Sequence, residues 1–95
     1  MKRFLLLLSV CVLTLGHVWA QSQTINGTVL YASSDEPVIG ASVTVQGSSE
    51  GTITDVNGKF SLRVKSGATI VVSFIGMETA EVTAKDGVVV RLREN

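Results

Sequence analysis

Residues Pro37 to Leu62 read PVIGASVTVQGSSEGTITDVNGKFSL, and this stretch decides the fold. It holds the alternating run Ala41-Val43-Val45 and the start of a second, Phe60-Leu62, which continues to Val64. An extended chain turns successive side chains to opposite faces, so each run presents one apolar and one polar face. Ser42, Thr44 and Gln46 oppose the first run; Lys59, Ser61 and Arg63 oppose the second. Between them stand Gly47, Gly51 and the turn Asp55-Val56-Asn57-Gly58. Asn and Gly tolerate the positive φ that a tight turn needs. The spacing therefore predicts a hairpin, with Lys59 to Lys65 returning antiparallel to a short strand over Gly51–Thr54.

The same alternation extends outward on both sides. Thr24 to Tyr31 places Ile25, Gly27, Val29 and Tyr31 on one face and reads as a first strand. Ala32 to Glu36 is polar, and Pro37, which has no N–H, belongs at a strand's edge and not its centre. Ala41 to Gln46 is the second strand. Thr69 to Ile75 (TIVVSFI) is the most apolar run after the leader and alternates little, which predicts a strand buried on both faces. Glu78 to Ala84 turns Ala80, Val82 and Ala84 inward. After the turn Lys85-Asp86-Gly87, the strand Val88 to Leu92 does the same with Val88, Val90 and Leu92. About seven short strands with turns every 8–12 residues or so predict an all-β, two-layer antiparallel sandwich. No helix is expected beyond the leader.

The first 20 residues have the form of a cleaved secretory leader. Lys2 and Arg3 are the charged end, Phe4 to Leu15 is apolar apart from Ser9 and Thr14, and Val18-Trp19-Ala20 is the cleavage site. The apolar run is too short to span a bilayer, which takes about 20 apolar residues. Cys11 does not make a lipoprotein signal, because Val10 stands beside it where a small residue is required. The expected division is a leader over 1–20 and one domain over 21–95.

Removal of the leader takes away Cys11, His17 and Trp19, which are the chain's only Cys, His and Trp. A disulfide is excluded in the remainder, and so is a nucleophile activated by histidine. Six basic residues then face eight acidic ones, which provides no basic footprint for nucleic acid. A chain of about 75 residues without staples must be held by a compact core of Val, Ile, Leu and Phe.

Four segments together carry a family resemblance. They are Ile25-x-Gly27-x-Val29, Pro37-Val38-Ile39-Gly40-Ala41-x-Val43-x-Val45, Gly51-Thr52-x-Thr54-Asp55-x-x-Gly58-x-Phe60 and Val72-Ser73-Phe74-Ile75-Gly76. In this order they resemble the carboxypeptidase-regulatory-like domain, in the version that begins SusC/RagA-type TonB-dependent outer-membrane transporters of Bacteroidota. The resemblance covers Ile25 to Leu92. It implies a seven-stranded, prealbumin-like Greek-key sandwich, exported to the periplasm or outer membrane, with protein partners in the cell envelope. It also implies an outer-membrane barrel if the gene continues beyond Asn95. Gly27, Pro37, Gly40, Gly51, Asp55, Gly58, Phe60 and Gly76 are then structural motif residues, with Asp55 capping backbone N–H groups of the turn.

The candidates for chemistry are few. Asp55 and Asn57 before Gly58 resemble part of a calcium loop, but Lys59 to Val64 supplies no bidentate glutamate. Asp35-Glu36 is an acidic pair with no third partner. Lys59, Lys65 and Lys85 sit where strands or turns expose them. Asn26-Gly27-Thr28 matches the glycosylation pattern but falls within the first strand. Phe60 and Phe74 are expected in the core, and Tyr31 is the one aromatic placed to meet a partner. No catalytic, cofactor-binding or metal-binding residue is expected, and the chain is read as no enzyme. The leading function is a non-catalytic interaction or spacing module of a nutrient transporter, whose edge strands can recruit another strand. The alternative is a freestanding binding protein for a glycan or peptide, using loops Ser33–Glu36, Gly47–Glu50 and Gly76–Met77. A third, a regulatory domain of a peptidase, would need a zinc-ligand-bearing domain in the same gene or complex.

Overall fold

The computed structural model describes residues 22–95, and the expected leader lies outside them. Seven strands run in chain order: β1 Ser22–Tyr31, β2 Ser42–Val45, β3 Gly51–Ile53, β4 Lys59–Lys65, β5 Thr69–Ser73, β6 Ala80–Thr83 and β7 Val88–Leu92. They form two sheets, ordered β4-β1-β7 and β3-β2-β5-β6, and no helix occurs among the described residues. The fold is the expected all-β sandwich, with the crossing connections of a Greek key.

The alternation read from the sequence is the alternation of burial. On β4, Phe60, Leu62 and Val64 are buried while Lys59, Ser61, Arg63 and Lys65 are exposed. Ile25, Val29, Val38, Val43, Ile70, Val72 and Leu92 are fully buried between the sheets. Each such side chain contributes about 1.5–3 kcal/mol relative to exposure.

Three expectations are corrected. The first concerns Asp55–Gly58, which does not close a hairpin: β3 pairs with β2, whereas β4 pairs with β1 in the other sheet. The turn carries the chain from one layer to the other. Its incoming side is bound to the lead into β2, through Thr54 N–H to the Ala41 carbonyl at 3.0 Å and Gly40 N–H to the Thr54 carbonyl at 3.1 Å. Its outgoing side is bound to β1, where Val29 N–H donates to the Gly58 carbonyl at 2.7 Å. An Asn-Gly pair specifies the local bend, not the sheet that the departing strand joins.

The second concerns strand direction. The sandwich is not wholly antiparallel, because β7 runs parallel to β1, from Gly27 beside Val88 to Tyr31 beside Leu92. The third concerns the run Thr69–Ile75. Ile70 and Val72 are buried, Val71 is half-buried, and Ile75 lies 90% exposed beyond the strand's end. A two-layer fold has one interior; Val71 points outward, partly covered by its register neighbours Thr44 and Glu81.

The registers place the connections at two ends. Ser22, Lys65, Val45 and Thr69 mark the lower end; Tyr31, Leu92, Lys59 and Ser73 mark the upper. The described chain therefore begins at the lower end, with Ser22 beside Lys65. It finishes at the upper end, where Glu78 N–H donates to the Arg93 carbonyl and Asn95 N–H to the Gly76 carbonyl. The ten residues of β1 separate the two ends by roughly 30 Å at about 3.3 Å per residue.

Candidate functional site

The motif residues gather mainly at the corner where the chain changes layers. Val29 is its centre: its N–H donates to Gly58 and its carbonyl accepts from Val38 N–H at 2.9 Å. Pro37 forms an isolated bridge with Leu30. Gly58 has φ 72°, and a Cβ there would stand 2.6 Å from the Val29 oxygen and 2.9 Å from Pro37 Cβ. Gly58 therefore answers both to a left-handed backbone and to a lack of room. Gly27 answers to room alone: a Cβ would strike the ring of Phe60 and come within 2.9 Å of Val88 Cγ1. The Phe60 ring lies buried over Gly27, opposite it in register.

Asp55 caps the turn. Its Oδ1 accepts Asn57 N–H and Lys59 N–H, each at 2.9 Å, and its own N–H donates to the Lys59 carbonyl at 2.9 Å. That oxygen is engaged by backbone donors, and among the described residues no group of three metal-ligating side chains gathers. Gly40 binds the Thr54 carbonyl, Gly51 begins β3 against Thr44, and Gly76 accepts from Asn95 in the upper turn. Pro37 and Gly58 thus meet at Val29, with Asp55 capping the adjoining turn, while Gly51 and Gly76 stand apart from that corner.

One member of the corner lies within the motif without a sequence signal of its own. Thr54 is 3% exposed, the one buried polar residue among those described. Its hydroxyl donates to the Val38 carbonyl and accepts Ala41 N–H at 2.9 Å. A threonine at the end of a short polar strand reads as surface; only its two backbone partners, 13 and 16 residues away, draw it inside.

The loops expected to form a ligand site do not converge. Gly47–Glu50 lies at the lower end, whereas Ser33–Glu36 and Gly76–Met77 lie at the upper. Asp35 takes φ 57°, and its Oδ1 accepts Arg91 Nε at 3.0 Å on the open surface, where such a pair adds under about 1 kcal/mol. Glu36 is exposed beside it. Tyr31 packs edge-on against Phe74 at 6.4 Å, both half-buried, so Phe74 seals the rim of the core instead of its centre. Lys59, Lys65, Lys85 and Asn26 are exposed.

What remains for recognition is surface. The outer face of the three-stranded sheet presents Lys59, Arg63 and Lys65 on β4, opposite the uncharged Thr28, Thr24 and Ser22 of β1. A cleft of about 660 Å³ opens at the lower end, between the lower half of β4 and the loop from β2 to β3.

The sequence profile of the CarboxypepD_reg-like domain matches residues 25–93. The chain is 49% identical over 63 residues to the TonB-dependent receptor SusC of Bacteroides thetaiotaomicron, covering 66% of this chain and 6% of that one. It is 34% identical over 90 residues to the TonB-dependent receptor P39 of Formosa agariphila, covering 94% of this chain and 8% of that one. It thus spans less than a tenth of the length of either receptor.

Proposed function

Since the chain belongs to the CarboxypepD_reg-like domain family, we propose that it is a non-catalytic N-terminal module of a TonB-dependent receptor, exported behind the leader at 1–20. Residues 21–95 form the module, which works in the periplasm as an interaction or spacing unit during uptake of a glycan or another nutrient. The observation that carries this reading is the match to two TonB-dependent receptors, one across 94% of the chain. With that leader removed, the N-terminus stands at the lower end of the sandwich beside Lys65, and Arg93 and Asn95 stand at the upper end, bound to Glu78 and Gly76. The freestanding ligand-binding reading loses support from the loops that stand at opposite ends.

Two measurements test the proposal. Reading the source gene beyond the codon for Asn95 should show an open frame leading into many alternating strands; a stop codon there would overturn it. In the whole receptor, deletion of residues 25–93 should lower uptake while leaving the receptor's abundance in the outer membrane unchanged. Unchanged uptake would remove the role.

A further inference from the structure

The lower half of β4 carries three features that point to one occupant. The first is backbone. Lys59 gives its N–H and its carbonyl to Asp55, not to β1, which makes Thr28 and Lys59 a non-hydrogen-bonded pair. In an antiparallel ladder such pairs alternate. Ser61, Arg63 and Lys65 therefore also turn their backbone groups away from β1, toward the open edge. The Lys65 carbonyl is taken by Ala68 N–H. Among the described residues no strand pairs with that edge, since β3 ends after three residues and joins β2.

The second is the cleft, which lies beside this same edge. Arg63, Val64 and Lys65 form one wall, the β2–β3 loop with Glu50 forms the other, and Val45 and Ala68 contribute apolar surface. The third is charge. The outward side chains of this segment, Ser61, Arg63 and Lys65, include two cations, and their neighbours on β1 are Asn26, Thr24 and Ser22. Like-charged edges repel, which disfavours pairing with β4 of a second copy and admits an acidic segment.

We propose that the β4 edge from Ser61 to Lys65 is a strand-addition site for an extended acidic segment of a partner protein. The partner's alternate residues face two ways. Those opposite Arg63 and Lys65 point outward and are Asp or Glu; those opposite Leu62 and Val64 turn inward and are small aliphatics that enter the cleft. This deepens the interaction role proposed above and rests on it.

The test uses the exported chain, ¹⁵N-labelled, and a capped eight-residue peptide alternating valine and glutamate. The expected result is saturable shifts of the Ser61, Arg63 and Lys65 amides, with slowed hydrogen exchange at Ser61 and Arg63. The same peptide with lysine for glutamate should bind about tenfold more weakly or worse. Arg63→Glu with Lys65→Glu, both on exposed side chains, should reverse that preference, and Ser61→Pro should abolish binding by removing an outward N–H. Equal binding of the two peptides would overturn the proposal. So would shifts confined to other strands, pairing of β4 with a second copy in the absence of peptide, or response of these amides to an oligogalacturonate but not to the glutamate peptide. Paired measurements in the whole receptor separate this from the broader reading. If deletion of 25–93 lowers uptake and the charge-reversed variant does not, the edge assignment fails and the module survives. If the deletion is silent, the module reading fails, and the peptide result still decides the edge.

Discussion

Thr54→Val is the sharpest probe of the corner that joins the two sheets. Valine keeps the shape of threonine and removes only the hydroxyl, so packing is nearly conserved. The loss is two buried hydrogen bonds, one to the Val38 carbonyl and one from Ala41 N–H. The main chain does not replace them: among the described residues no backbone N–H reaches the Val38 carbonyl, and no backbone carbonyl accepts the Ala41 N–H. Each orphaned buried group costs about 1–3 kcal/mol, and partial relaxation makes roughly 2–4 kcal/mol a fair sum. A domain of this size is stable by roughly 5–10 kcal/mol, so the variant loses a large share of its margin. At about 4–8 °C per kcal/mol, the melting temperature should fall by roughly 10–25 °C. Urea denaturation followed by circular dichroism measures the change, with Thr54→Ser as the control that keeps the hydroxyl and should lose about 1 kcal/mol. A cost below about 0.5 kcal/mol for valine, or serine as damaging as valine, would refute the claim that the hydroxyl holds the end of β3 to the segment leading into β2.

Other perturbations probe the same structure. Phe60→Ala removes a ring only 4% exposed and should cost about 3–5 kcal/mol in urea denaturation; less than about 1 kcal/mol would contradict its burial over Gly27. Gly58→Ala must accept both a left-handed backbone and contact with the Val29 oxygen, whereas Gly40→Ala, at φ 80° with open space around it, meets only the first. Gly40→Ala should therefore cost about 1–2 kcal/mol and Gly58→Ala clearly more, and equal melting temperatures would remove the steric argument. A calcium chelator should leave the melting temperature unchanged, because Asp55 Oδ1 is held by Asn57 and Lys59 N–H groups; a fall would restore the calcium loop.

Local pattern was enough to assign the strands, and to assign their faces except on Thr69–Ile75. Alternation with a period of two is a property of neighbouring residues, and burial follows it most plainly on β4, and also along β1 and β7, because a side chain's face within a strand is set by parity. Gly27 and Gly58 are named by the family resemblance, but why no Cβ fits there depends on Phe60, Val88, Val29 and Pro37, which only folding brings near. Which strands share a sheet was settled only when the chain folded. Asp55-Val56-Asn57-Gly58 bends identically in a hairpin and in a crossing between layers, and the choice rests on bonds from Val29, Ala41 and Val38 to partners far along the chain. The same distance hid the buried role of Thr54, since its partners lie on a segment that only folding brings near. It also hid the open edge of β4. Parity tells which way the side chains of Arg63 and Lys65 point, but whether their backbone meets a neighbour depends on where β3 ends, and that is settled by the pairing of β3 with β2.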